Sequence, residues 1–325
     1  MGRYIARRSL WVVVLLFIVS MVTFAIFYVL PADPAALSAG KSSSTEEIDL
    51  IRAKLGLDKP IHVQYGVFLK GIVAGRDIGG NECPAPCFGY SFKNEQPVWE
   101  TLLDRAPVTM SIAAGASVLW LLMGVTIGIV SALRRGTVWD RGAMTVALAG
   151  VSLPTIFTGY VVLLVGVYKL RLFPQPRYND FTDNPLLWAQ GLILPWIVLA
   201  FFYSALYARI TRASMLETMA EDYVRTARAK GLPESIVVRR HGLRAALTPI
   251  ITIFGLDVGS LLGGAVITES VFSINGIGKL AISSITTIDL PVIVGVTVFA
   301  AFFVVVANLV VDVLYALVDP RVRLS

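Results

Sequence analysis

Four stretches of the chain contain no Asp, Glu, Lys or Arg, and each is long enough to cross a bilayer: Leu10–Leu30, Pro107–Leu133, Gly142–Tyr168 and Asn184–Ala208. A helix rises about 1.5 Å per residue and the hydrocarbon core is about 30 Å thick, so about 20 apolar residues suffice. The tail Ala245–Val318 carries only five charges, Asp257, Glu269, Lys279, Asp289 and Asp312. It is too long for one span and divides at the turn residues Ser273–Gly278. The expectation is an all-α polytopic membrane protein with six transmembrane helices. Composition agrees: of 325 residues, 56% are hydrophobic and 15% charged, a surplus no soluble core hides. A disordered chain, a secreted disulfide scaffold and an ordinary cytosolic enzyme are excluded. Two histidines and two cysteines leave little for a metal site.

The net charge of +6 reads first as an orientation signal, with nucleic-acid binding a poor second. If the N-terminus is inside, the segments 1–9, 134–141, 209–244 and 319–325 hold sixteen basic residues in 60 positions. The outer segments 31–106, 169–183 and 269–289 hold twelve in 112. Both termini are therefore expected in the cytoplasm. Arg3, Arg7 and Arg8 before the first run resemble a signal peptide, but the run is too long and no small-residue cleavage site follows. The expected organisation is a cytoplasmic N-terminus and first helix over 1–30, a small extracytoplasmic domain over 31–106, and a five-helix core over 107–325. Gly and Pro recur within the spans, which fits a packed bundle.

Within the outer domain, Ser43 and Ser44 stand three residues before Glu46 and Glu47, a capping-box pattern. Ile48, Ile51 and Leu55 share a helix face, and Gly56 ends it. Cys83 and Cys87 bracket Pro84-Ala85-Pro86 outside the cytoplasm, where thiols oxidise. A local disulfide is the favoured reading, with free thiols and a metal or redox role as alternatives. His62 has no neighbouring ligand type and reads as a surface histidine.

The inner segment 209–244 is the most informative. Met215, Met219, Tyr223 and Ala227 fall at i, i+4, i+8 and i+12, one apolar stripe on a helix expected to be exposed. Gly231 suits a left-handed cap and Pro233 the first turn of a following helix. A stripe of this kind wants a protein partner. Asp257 lies mid-span among glycines and is open between a pathway role and a structural one. Glu269, near an outer end, is expected to reach the interface, with a gate role as the alternative. Asn308 and Asp312 share a face and are expected to tie helices together.

The run Tyr223-Val224-Arg225-Thr226-Ala227-Arg228-Ala229-Lys230-Gly231-Leu232 resembles the signature loop of ABC importer membrane subunits, in its peptide-type (oligopeptide and dipeptide) variant. Arg239 through Pro249, Leu55 through Pro60, Pro31 through Pro34, Gly263 through Phe272, and Asn308 through Arg321 fit the same group, so the likeness covers nearly the whole chain. The general loop opens Glu-Ala-Ala where this chain has Arg225-Thr226-Ala227, and it ends Leu-Pro where this chain has Leu243-Arg244. Both departures are usual in the peptide branch. Residues 81–90 resemble an insertion.

The resemblance implies a type I ABC importer transmembrane domain in a bacterial inner membrane, paired with a second homologous permease subunit. Two cytoplasmic ATPase subunits would bind ATP and Mg, and an extracytoplasmic binding protein would deliver peptide. Glu221, Asp222, Tyr223, Arg225, Thr226, Ala227, Arg228, Ala229, Lys230, Gly231 and Leu232 would couple to an ATPase. Relatives of this shape also move nickel complexes, glutathione, heme or oligosaccharides. The chain has no Walker A motif, so its energy would come from a partner. A proton-coupled secondary transporter, using the buried carboxylates, leaves the 209–244 loop unexplained. A membrane enzyme lacks any catalytic constellation.

Overall fold

A computed structural model describes residues 2–29, 33, 35–36 and 44–318. The helices are α1 (Gly2–Phe24), α2 (Thr45–Leu55), α3 (Ile61–Ala74), α4 (Val98–Leu133), α5 (Val138–Ser152) and α6 (Thr155–Lys169). They continue as α7 (Pro185–Ala220), α8 (Asp222–Ala229), α9 (Glu234–Ala246), α10 (Thr248–Leu262), α11 (Val266–Val271), α12 (Ile277–Thr287) and α13 (Leu290–Val318). Among the described residues, Arg7–Tyr28, Val98–Leu133, Pro185–Ala220 and Leu290–Val311 are continuous helices apolar and long enough to span. Two bent pairs, α5 with α6 and α9 with α10, pass the same test of length and composition, which allows up to six spans.

The third span departs from the single rod expected over Gly142–Tyr168. It turns through 100° between α5 and α6. Pro154 is the cause: it has no N–H to donate and its ring drives the preceding residue out of the helical region. Leu153 accordingly sits at φ −87°, ψ 125°. The fourth span also differs from expectation, because α7 runs on to Ala220, well past the last charge-free residue, Ala208.

The chain forms two compact units. One comprises 1–110, 260–266 and 275–306. Its core joins Phe24 of α1, Phe68 of α3, Val98 and Leu102 of α4, Ile277 and Leu280 of α12, and Val292, Val294 and Phe299 of α13. The segment 31–106 thus shares this core with α1, α12 and α13, and it closes a smaller cluster of its own from Ile78, Cys83, Cys87 and Tyr90. It also holds the only strands among the described residues: β1 (Arg76–Ile78) pairs antiparallel with β2 (Asn81–Cys83), and β3 (Tyr90–Ser91) with β4 (Gln96–Pro97). Cys83 and Cys87 are joined by a disulfide between the two hairpins. Ser91 Oγ donates to the buried Asp289 carboxylate, and Lys93 Nζ donates to the carbonyls of Thr287 and Ile288 at the end of α12. Burial pushes the Asp289 carboxyl up, against the opposing pull of Ser91, the Val292 N–H and Lys93. Gly56 (φ +68°) follows α2 as the sequence pattern requires. The expected cap at Ser43 lies outside the described residues, as does the side chain of Glu47. Where α11 and α12 begin, backbone meets backbone. A Cβ on Gly278 would lie 2.6 Å from the Val266 Cα, so only glycine fits.

The other unit comprises 111–259, 267–274 and 307–325. Here α7 is the centre, packed between α4 and α5. A Cβ on Gly124 would meet the Ser204 carbonyl at 3.0 Å, and one on Gly150 would meet the Ala205 Cβ at 3.0 Å. Glycine at these positions brings helix axes close without any drive from water exclusion, the usual device inside a bilayer.

Candidate coupling and translocation sites

The 209–244 loop is built by two local breaks. At Glu221 the backbone goes extended (φ −66°, ψ 149°) and ends α7, and α8 starts at once. At its other end, Gly231 N donates to the Arg228 carbonyl at 2.9 Å and Leu232 N to the Ala227 carbonyl at 3.4 Å. With Gly231 at φ +77°, this is the double-bonded left-handed cap that terminates a helix on glycine. Arg228 then reaches across the break and donates two hydrogen bonds to Glu234, at 3.1 and 2.7 Å. The outcome is a rigid helix, turn and helix.

The apolar stripe has a different use from the one its spacing implied. Met215 is fully buried against Ala132 and Ala246, and Val224 and Ala227 close on Val237, with Met219 packed alongside. The stripe is broken at Glu221 and, except for Tyr223, covered by the chain's own α9, which folds back on it. What α8 leaves exposed is Glu221, Asp222, Tyr223, Arg225, Thr226, Arg228, Ala229 and Lys230, continued by Gly231, Leu232 and Ile236. A charged helix with Tyr223, Leu232 and Ile236 as apolar points is the surface available to a partner.

A second constellation was not visible in the sequence. Thr137 caps α5, its Oγ1 accepting from Asp140 N. That places the Asp140 carboxylate, buried, where Arg212 of α7 donates from Nε at 2.7 Å and from Nη2 at 2.8 Å. Ser131 Oγ of α4 and Gly136 N donate to the same group. Three helices are therefore pinned through one carboxylate with its acceptor sites filled. Thr137 followed by Asp140 is legible as a helix start; the partner 72 positions away is not.

In mid-span, Tyr207 Oη donates to Asp257 at 2.8 Å. Trp120, fully buried, stacks on Tyr203 with ring centroids 4.5 Å apart and meets Phe254 edge-on. A half-buried carboxylate tied to a tyrosine and flanked by aromatics can hold its place in a bilayer interior, where a lone charge is costly. Glu269 does not reach the interface as expected. It is fully buried on α11, and its carbonyl accepts from Ile274 N at 2.9 Å. Asn308 is half-buried, and the side chain of Asp312 lies outside the described residues.

Comparison with known proteins fits this architecture from end to end. Residues 1–113 match the model of the binding-protein-dependent transport system membrane component, N-terminal, and residues 124–324 match that of the binding-protein-dependent transport system inner membrane component. A protein of Brucella abortus strain 2308 that carries the name putative peptide transport system permease protein is 38% identical over 323 residues, 99% of each chain. The glutathione transport system permease of Escherichia coli K12 is 37% identical over the same length and coverage. A break-and-cap loop over 209–244, up to six apolar spans and a match over nearly every residue converge: the chain belongs to the binding-protein-dependent transport system inner membrane component family, the membrane-spanning permease subunits of type I ABC importers.

Proposed function

We propose that this permease forms half of the translocation pathway for oligopeptides or dipeptides. Its partners are a second, homologous permease subunit, two cytoplasmic ATPase subunits that bind ATP and Mg, and an extracytoplasmic binding protein. Both termini face the cytoplasm, in keeping with the basic-residue asymmetry, and the 209–244 loop meets the ATPase there. The segment Glu221–Leu232 is the coupling element. The observation that carries this reading is the exposed, glycine-capped α8, held to α9 by Arg228 and Glu234, in a chain similar over 99% of its length to a protein named as a peptide permease. Force on α8 passes through Val224, Ala227 and Val237 into α9 and thence to α10, which carries Asp257. Asp257 with Tyr207 lines the path, and Glu269 is held in the gate region.

Glutathione is the second reading, favoured by the equal-length similarity to the E. coli glutathione permease. The complete transporter, reconstituted with its binding protein, separates the two. Labelled di- and oligopeptides are expected to enter in an ATP-dependent manner that excess glutathione does not suppress. Uptake of glutathione alone would overturn the peptide assignment. A reporter fused after Ser325 that is reached from outside would overturn the orientation.

A further inference from the structure

A cavity of about 580 Å³ opens between α4, α5 and α7. Its walls are mostly apolar: Met123 and Ile127 from α4, the α5 face from Val138 to Ala147, and Phe201, Ser204, Ala205 and Ala208 from α7. Both ends are closed by features already described. Beyond Ala147 the helices touch at Gly150 and Ala205. Beyond Ala208 they are pinned by Asp140, Arg212 and Ser131. An opening in the side remains, flanked by Val138 and Trp139, which are 84% and 73% exposed.

Length decides what fills it. From Val138 to Ala147 the helix advances about 14 Å, which is half the hydrocarbon thickness of about 30 Å. A transmembrane helix of another subunit would run the full thickness and strike the contact at Gly150. An acyl chain of one leaflet stops where the slot stops. The charge at the mouth specifies the headgroup. Arg134 and Arg135 are exposed in the turn that leads into Val138, and neither forms an ion pair among the described residues. Asp140, the single acidic residue of the 134–147 segment, is already satisfied by Arg212. Trp139 stands beside them, at the level where indole rings collect in membrane proteins.

We infer that this slot is a phospholipid site: an acyl chain lies along α5 between α4 and α7, and an anionic headgroup phosphate is held by Arg134 and Arg135. The site is independent of cargo, and it stands or falls apart from the peptide reading. A lipid bound here would lie between the Gly150–Ala205 contact and the latch that pins three helices.

The test uses the assembled transporter, offered vesicles of phosphatidylglycerol and phosphatidylethanolamine and then analysed by native mass spectrometry. Retention of phosphatidylglycerol over phosphatidylethanolamine is expected, and the preference should fall about fivefold for each arginine in Arg134→Gln and Arg135→Gln. Filling the slot with Ala143→Phe should remove both lipids. Because that variant can disturb packing, a second measurement uses the native side chains. Brominated phosphatidylglycerol should quench the fluorescence component lost in Trp139→Phe, and brominated phosphatidylethanolamine should quench it much less. Equal quenching by both lipids would overturn the headgroup assignment. Cross-linking of a cysteine at position 143 to a neighbouring subunit, with no quenching, would show that protein covers the slot and overturn the proposal whole.

Discussion

Two arginine–carboxylate pairs of the same geometry stand in different surroundings. In each, one guanidinium donates two hydrogen bonds to one carboxylate. The side chains of Arg212 and Asp140 are 26% and 5% exposed, and two further donors complete the carboxylate. The side chains of Arg228 and Glu234 are 41% and 58% exposed, and they stand alone across a turn. Water competes for the second pair and screens it, while it reaches the first only through the partly exposed arginine. The first therefore fixes three helices and leaves an uncompensated charge if broken. The second biases a turn whose shape Gly231 already sets. Stapling the bundle and trimming the 209–244 loop need different strengths from one chemistry, and burial supplies the difference.

The largest effect is expected from breaking the buried pair. Asp140→Ala leaves Arg212 without its counter-charge, and the melting temperature of the detergent-solubilised protein should fall by roughly ten degrees. Asp140→Ala combined with Arg212→Leu should recover part of that loss, because no buried charge is then unpaired. A double variant as unstable as the sum of the two single ones would mean the pair is not coupled, and the contrast with Arg228 would collapse.

Next comes Gly231→Val. Its φ of +77° is hostile to a β-branched residue, and the local cost is about 1–3 kcal/mol. A Cβ there meets nothing within 4 Å, so strain acts through the backbone alone and not through a clash. The bundle should insert normally. Peptide uptake and transport-stimulated ATP hydrolysis should drop more than about tenfold, with Gly231→Asn milder because asparagine tolerates this region. Uptake and ATPase attachment unchanged by valine would make the loop a plain connector.

Tyr207→Phe should have a smaller effect. It removes one hydrogen bond from Asp257 at a cost of about 1 kcal/mol. Asp257→Asn keeps an acceptor for Tyr207 but loses the charge. Comparing uptake by the two variants separates a pathway carboxylate from a structural one. Loss of transport with asparagine at unchanged melting temperature supports the pathway role, and parallel losses in both properties speak against it.

How much of this was legible follows the range of each interaction. Four of the spans are written in charge-free runs, because lipid excludes charge residue by residue. The glycine cap at Gly231 and the helix end at Gly56 were legible because backbone conformation is local. The 100° turn at Pro154 had its cause in plain view, yet a run of apolar residues carries no sign of direction. The stripe Met215, Met219, Tyr223, Ala227 is legible as apolar from its spacing alone. What covers it depends on α9 folding back, a tertiary event that periodicity does not encode. Arg212 with Asp140 is the same case in sharper form. Each looked like an ordinary basic or acidic residue near a membrane edge, and only packing of α5 on α7 makes them one site.

The smallest effect is expected at Arg228, and it is the finest test of the comparison. Arg228→Ala removes an exposed pair of hydrogen bonds to Glu234, worth at most about 1 kcal/mol and reduced further by salt. The cap at Gly231 remains, as does the packing of Val224 and Ala227 on Val237. Stability should hardly change, and uptake should fall less than about threefold. The informative quantity is the salt dependence. In the native transporter, high ionic strength should reproduce part of the Arg228→Ala effect, whereas the Asp140 pair should be insensitive to it. If Arg228→Ala instead abolished uptake with the melting temperature intact, the guanidinium would be meeting a partner directly, and its role would move from bracing the loop to contacting the ATPase.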